Sequence, residues 1–176
     1  MTDLWQGTRV TPNPHLQLLT SDQALLPGPS AALLLYDPAH TLEALQAQAD
    51  SFGLALIRPA SLTSAGEEAK EAQGDGYWTG DVRLLKALRQ GQPDWQLIGL
   101  AQDRHGAMVM GEAGADLILF TVFDPGTDLP RLLPGDRELA QWWCTLFEVP
   151  CALVLADQPD PDAGFGEEGR PEFFAI

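Results

Sequence analysis

Short apolar runs alternate along this chain with segments whose apolar residues recur at helical spacing. The clearest unit is WQLIGLAQDRHGAMVMGEAGADLILFTVF, from Trp95 to Phe123. QLIGLA (Gln96 to Ala101) and ADLILFTVF (Ala115 to Phe123) read as buried strands. Between them, His105 to Ala113 carries Ala107, Met108, Val109, Met110 and Ala113 at roughly helical spacing. Gly114 follows, suited to the left-handed residue that ends a helix. An apolar strand on each side of a helix predicts a buried parallel sheet with a crossover. Both strands run out at their C-terminal ends into polar residues, Gln102-Asp103-Arg104 and Asp124-Pro125-Gly126. In parallel α/β folds that end of the sheet is the rim where ligands sit.

The same pattern extends both ways. HLQLLTS (His15 to Ser21), AALLLY (Ala31 to Tyr36) and LALI (Leu54 to Ile57, ended by Arg58-Pro59) predict the first three strands. DGYWTGD predicts a strand and loop, PCALVLA (Pro150 to Ala156) a seventh strand, and EFFAI (Glu172 to Ile176) an eighth. Thr41 is placed to cap a helix over LEALQAQADSFG, with Leu42, Leu45, Ala49 and Phe52 on its inward face and Gly53 as its stop. Ser64 is placed to cap AGEEAKEAQG, and Asp81 to cap VRLLKALRQ, whose Val82, Leu85 and Leu88 face inward. A further helix is expected over RELAQWWCTLFEV. The segments after the first and seventh strands are too rich in turn residues for full helices. The length of 176 residues suits one domain, 1–176, and is too short for two ordinary ones. The pattern fits a minimal TIM-type (β/α)8 barrel with some helices missing or shortened, or an open doubly wound sheet.

Charge narrows the partners. Twenty-five acids against ten bases give a formal net charge of -15. Nucleic acid and anionic membrane surfaces bind clustered Lys and Arg, so neither is expected as a partner. No apolar run approaches the roughly 20 residues that cross a bilayer. The N-terminal MTDLWQGTRVTPNPH lacks a charged-then-apolar signal pattern, so a cytoplasmic location is expected. Cys144 falls in a helix and Cys151 in a strand; two cysteines make no disulfide framework, and buried thiols are expected. His15, His40 and His105 lack metal-ligand spacing, and neither a nucleophile elbow nor a phosphate loop is present. The carboxylates of DQPDPDAGFGEEG do not follow calcium-loop order, so that stretch reads as a solvated loop. Trp142 and Trp143 are adjacent on their helix and point about 100° apart. If one packs on the sheet, the other lies at the flank, a candidate homodimer contact.

The segments IGLAQDRHGAMVMGEAGADLILFTVF and DGYWTGD resemble the thiamine-phosphate synthase family, which carries IGxSxH…A…GADYIxxGPVF preceded by DGVHLGQ. The resemblance favours the barrel over the open sheet. It also implies a reaction that joins a pyrimidine-methyl diphosphate to a thiazole phosphate and releases pyrophosphate with Mg2+. Such a site needs cations for the diphosphate, carboxylates to place the metal and glycine-loop amides for the second phosphate.

Several of those positions are changed. The family's R-x-K after the second strand falls at Leu35, Tyr36 and Asp37, and its Asn-Asp pair after the third strand at Arg58 and Pro59. In the DGVHLGQxD stretch, His becomes Trp78, Gln becomes Asp81 and the second Asp becomes Arg83. Ser-x-His aligns with Ala101, Gln102 and Asp103; the lysine of GPVFxTxTK falls near Asp128; the late Gly-Gly pair falls at Leu155 and Ala156. Gly80, Gly99, Gly114, Ala115, Asp116, Val122 and Phe123 keep the family's scaffold. The expected protein is therefore a divergent, synthase-like barrel without the synthase reaction, acting as a ligand-binding or protein-interaction module with no catalytic residue, metal or cofactor assigned. The alternative is an active synthase using Mg2+. Candidate ligand-binding residues at the barrel mouth are Arg58, Trp78, Asp81, Gln102, Asp103, Arg104 and Thr121, with Asp124 beside them; the expected ligand is small and phosphorylated.

Overall fold

The computed structural model describes residues 15–19, 30–34, 42–60, 74–121, 133–154 and 173–175. In chain order the elements are β1 (His15–Leu19), β2 (Ser30–Leu34), α1 (Leu42–Phe52), β3 (Leu56–Pro59), β4 (Gly76–Thr79), α2 (Val82–Gly91), β5 (Gln96–Ala101), α3 (Arg104–Glu112), β6 (Leu117–Phe120), α4 (Asp136–Leu146), β7 (Cys151–Val154) and β8 (Phe173–Ala175). The fold is α/β: β3 to β7 form a parallel sheet, and the four helices pack against it. β2 pairs with β3 and β1 with β2, while β8 pairs with both β7 and β1, all parallel. The Thr41 and Ser64 caps, the helix expected after Ser64, Asp124 and the acidic stretch 157–171 lie outside the described residues, as do Leu35, Tyr36, Asp37, Val122, Phe123, Asp128, Leu155 and Ala156.

Strand alternation divides the core in two. Side chains on one face meet the helices: Tyr77, Leu97, Ile118, Phe120 and Leu153 pack with Leu84, Leu85 and Leu88 of α2, Ala107 and Met110 of α3, and Ala140 and Trp143 of α4. The other face gathers Ile57, Trp78, Ile98, Leu117, Leu119, Ala152 and Val154 into a cluster of strand residues with Ala55. Strands covered on both faces must be apolar at successive positions, as the burial of all four residues of β4, β6 and β7 reflects.

The N-terminal edge of the sheet is tied by one device used twice. Asp75, just before β4, donates its backbone N–H to the Leu56 carbonyl and accepts the Leu56 N–H on its carboxylate, both at 2.8 Å. Asp116, just before β6, does the same to Leu97, again at 2.8 Å for both bonds. Each carboxylate thus accepts a backbone N–H at the start of the preceding strand, that of the first residue of β3 and of the second residue of β5. Arg89 of α2 completes the second tie with hydrogen bonds to the Asp116 carboxylate and to the carbonyls of Gly114, Pro93 and Trp95. Gly114 adopts φ +98, the left-handed turn after α3 that brings its carbonyl to Arg89. At Gly76 the neighbouring strand leaves no room for a side chain, because a Cβ there would lie 1.9 Å from the Gln96 carbonyl oxygen.

Several details differ from the sequence expectation. β3 spans Leu56–Pro59 rather than Leu54 to Ile57, so Arg58 lies within the strand instead of beyond it. α4 stops at Leu146, because Phe147 is already extended (φ -126, ψ 146). Phe52, expected on the inward face of α1, is 38% exposed at the helix's last position, whereas Leu45 and Ala49 are buried.

Candidate functional site

Polar residues at the C-terminal ends of the strands come mainly from two described connections, β4 to α2 and β5 to α3. Thr79 ends β4 and is buried; its Oγ1 accepts the Asp81 N–H at 3.0 Å and fixes the turn. That turn presents Asp81 as N-cap of α2, where Oδ1 accepts the N–H of Arg83 at 2.8 Å and of Leu84 at 3.4 Å. Asp103 is the N-cap of α3 and accepts the Gly106 N–H at 2.7 Å. Both carboxylates therefore meet amide groups that a helix start would otherwise leave unsatisfied. They sit at the rim as expected, with their nearer oxygens committed to the backbone.

The other candidates separate. Thr121 follows β6 and is 1% exposed, its N–H bonded to the Ala101 carbonyl at 3.2 Å. Gln102 is exposed immediately after β5. Trp78 is 4% exposed and packs in the strand-only cluster with Ile57, Ile98 and Leu117. Where the family pattern has a histidine, this chain thus puts a large apolar ring into its core.

Two arginines place their guanidiniums over aromatic rings. Arg58 is corrected from strand end to strand interior, and alternation from Ile57 turns it to the helix-facing side. There its Nη2 donates to the Tyr77 hydroxyl at 2.6 Å, and its guanidinium lies 4.9 Å from the Tyr77 ring centroid. Its Nε is buried without a hydrogen-bond partner. Arg104, the first residue of α3, turns outward to α4, with its guanidinium 4.9 Å from the Trp142 ring centroid. Both cations are held against aromatic faces.

Sequence reasoning missed Asp136. It starts α4, is 2% exposed, and accepts the Leu133 N–H at 2.7 Å. Burial pushes its carboxyl above the ordinary value of 3.8, Glu138 adds to the rise, and the bond from Leu133 opposes it. Gly135-Asp136 ahead of an amphipathic helix was the available signal, obscured by the proline- and leucine-rich approach.

Among the described residues, no group of three or more His, Cys, Asp or Glu side chains converges to hold a metal. Among the described residues, no helix is long and apolar enough to cross a membrane.

No protein-family model matches the chain. Curated relatives do. The chain is 32% identical over 146 residues to the thiamine-phosphate synthase of Erythrobacter litoralis (strain HTCC2594), covering 80% of this chain and 66% of that protein. It is 29% identical over 114 residues to the synthase of Hyphomonas neptunium (strain ATCC 15444), covering 63% and 50%. A stretch of 52 residues is 46% identical to the synthase of Rhodospirillum centenum (strain ATCC 51521 / SW), covering 29% and 25%. The chain thus spans 66% of the length of the first of these relatives and half or less of the other two. With one such relative matched along most of its length, the chain belongs to the thiamine-phosphate synthase family.

Proposed function

We propose that this chain is a minimal TIM-type (β/α)8 barrel of the synthase family that binds rather than condenses. The pairing of β8 with both β7 and β1 supports the barrel. The placement of Trp78 supports the functional reading most directly: the family's rim histidine is replaced by a ring buried among Ile57, Ile98 and Leu117. Arg58 and Arg104, the two cations nearest the rim in sequence, engage Tyr77 and Trp142 instead. A diphosphate leaving group needs positive charge aimed at it, and these two guanidiniums are turned elsewhere. The binding surface is either a small phosphorylated ligand's site beside Gln102 and Thr121 or a protein contact on α4.

The second reading, an active synthase with Mg2+, draws on the 32% identity to a curated synthase. One assay separates the two. The purified chain, supplied with the pyrimidine diphosphate, the thiazole phosphate and Mg2+, is expected to form no thiamine phosphate. Turnover that disappears in Asp81→Ala or Asp103→Ala would establish the synthase reading instead.

A further inference from the structure

We infer that Cys144 and Cys151 form a reversible disulfide that latches the end of α4 to the start of β7. The two thiols are seven positions apart in sequence, and their sulfurs approach to 3.2 Å. An S–S bond is about 2.05 Å, so closure needs a movement of roughly 1.2 Å. The connection between them is already held. Trp143 donates its Nε1–H to the Val149 carbonyl at 2.6 Å, and Phe147 stacks on Trp143 with centroids 4.1 Å apart. The pair is also asymmetric: Cys151 is fully buried, whereas Cys144 is partly open to solvent. That asymmetry sets the order of events.

The co-reactant is a small disulfide such as glutathione disulfide. The Cys144 thiolate attacks one of its sulfurs, forming a mixed disulfide and expelling one glutathione thiolate. Cys151 then gives up its proton to that thiolate and attacks the Cys144 sulfur. The internal S–S bond forms and the second glutathione leaves as thiolate. Two electrons pass from the cysteine pair to the glutathione disulfide, which ends as two thiols. The product bridges an element of the helical layer to a strand of the sheet, at the helix bearing Trp142 and Leu146.

The test uses the full folded chain in glutathione buffers of increasing oxidation, quenched with acid and alkylated for intact-mass and peptide analysis. The expected product has the mass of a single chain, with an internal Cys144–Cys151 bond and no retained glutathione, reversed by dithiothreitol. Its melting temperature should rise by roughly 4–8 °C, from closing a short loop in the unfolded chain. Cys151→Ser should stop at a stable glutathione adduct on Cys144, while Cys144→Ser should gain no adduct because the remaining thiol is enclosed. The inference is overturned by a persistent mixed disulfide in the unaltered chain, by a disulfide between two chains, or by thiols that stay reduced in oxidised glutathione. Should either variant fail to fold, the product formed by the unaltered chain decides alone.

Discussion

Replacing Arg89 with Met tests what ties the N-terminal edge of the sheet. The guanidinium makes five hydrogen bonds: Nε and Nη2 to the Gly114 carbonyl at 3.0 and 2.8 Å, Nη1 to Pro93 and Trp95 at 2.7 and 3.0 Å, and Nη2 to the Asp116 carboxylate at 2.5 Å. Met keeps most of the apolar stem and removes the fork. A hydrogen bond to a charged group contributes about 1.5–3 kcal/mol when buried. Here the side chain is 24% exposed and two bonds share one carbonyl, which lowers the return from each. Counting the three carbonyl acceptors at about 1 kcal/mol each gives a loss of about 3 kcal/mol, with the partly exposed ion pair adding at most about 1. For a chain of this size that is a fall in melting temperature of roughly 6–12 °C. Urea denaturation should show it as a lower midpoint at unchanged slope. Asp116→Asn should cost less than about 1 kcal/mol, since the amide oxygen can still accept the Leu97 N–H. The Arg89→Met loss should persist in about 1 M NaCl, where the screening length is ~3 Å, because carbonyls are the main acceptors. An Asp116→Asn loss equal to that of Arg89→Met, or a penalty that vanishes in salt, would mean that Arg89 serves as a counter-charge and not as a carbonyl clamp.

Other consequences can be measured singly. Asp81→Ala and Asp103→Ala should each cost about 1 kcal/mol by urea denaturation, with Asn at either position restoring most of it. If these carboxylates are caps, Mg2+ should leave the melting temperature unchanged; a Mg2+-dependent rise abolished by Asp81→Asn would show a metal site. Asp136 titrates higher in the folded chain than unfolded, so the folded state binds the proton more tightly and this group's contribution to stability falls as pH rises from about 4. Asp136→Asn should therefore be neutral or stabilising at pH 7 and lose that advantage as pH falls to 4; a penalty at pH 7 that grows with pH would contradict it. Leu146 is 62% exposed beside the half-buried Trp142, so light scattering at micromolar concentration should find self-association that Leu146→Glu weakens; a monomer before substitution would count against an α4 contact.

Much of the architecture was legible because it is local. β5, α3 and Gly114 follow from apolar runs and helical spacing, and the Asp81 cap from its place before an amphipathic helix, whereas Asp103 was read only as a rim residue. Arg58 was misplaced for a reason periodicity cannot repair. LALIRP is apolar for four residues before its arginine, and only pairing with β2 and β4 shows that the strand starts at Leu56 and includes Arg58. The outward turn of Arg104 was equally hidden, because it depends on Trp142 arriving from a distant helix. Trp78 was expected at the barrel mouth, and the face of its strand that it takes required the strand register.

The paired ties at Asp75 and Asp116 bear on how such a domain can change its work over generations. Each uses a carboxylate and backbone at the end of the sheet opposite the rim, so these ties draw on none of the residues that form the rim turns. A lineage can then discard or rewrite a reaction at one pole while the other keeps the chain foldable. Substitutions at Asp75 or Asp116 should show first as poor recovery of folded protein, whereas one at the exposed Gln102 should leave recovery unchanged.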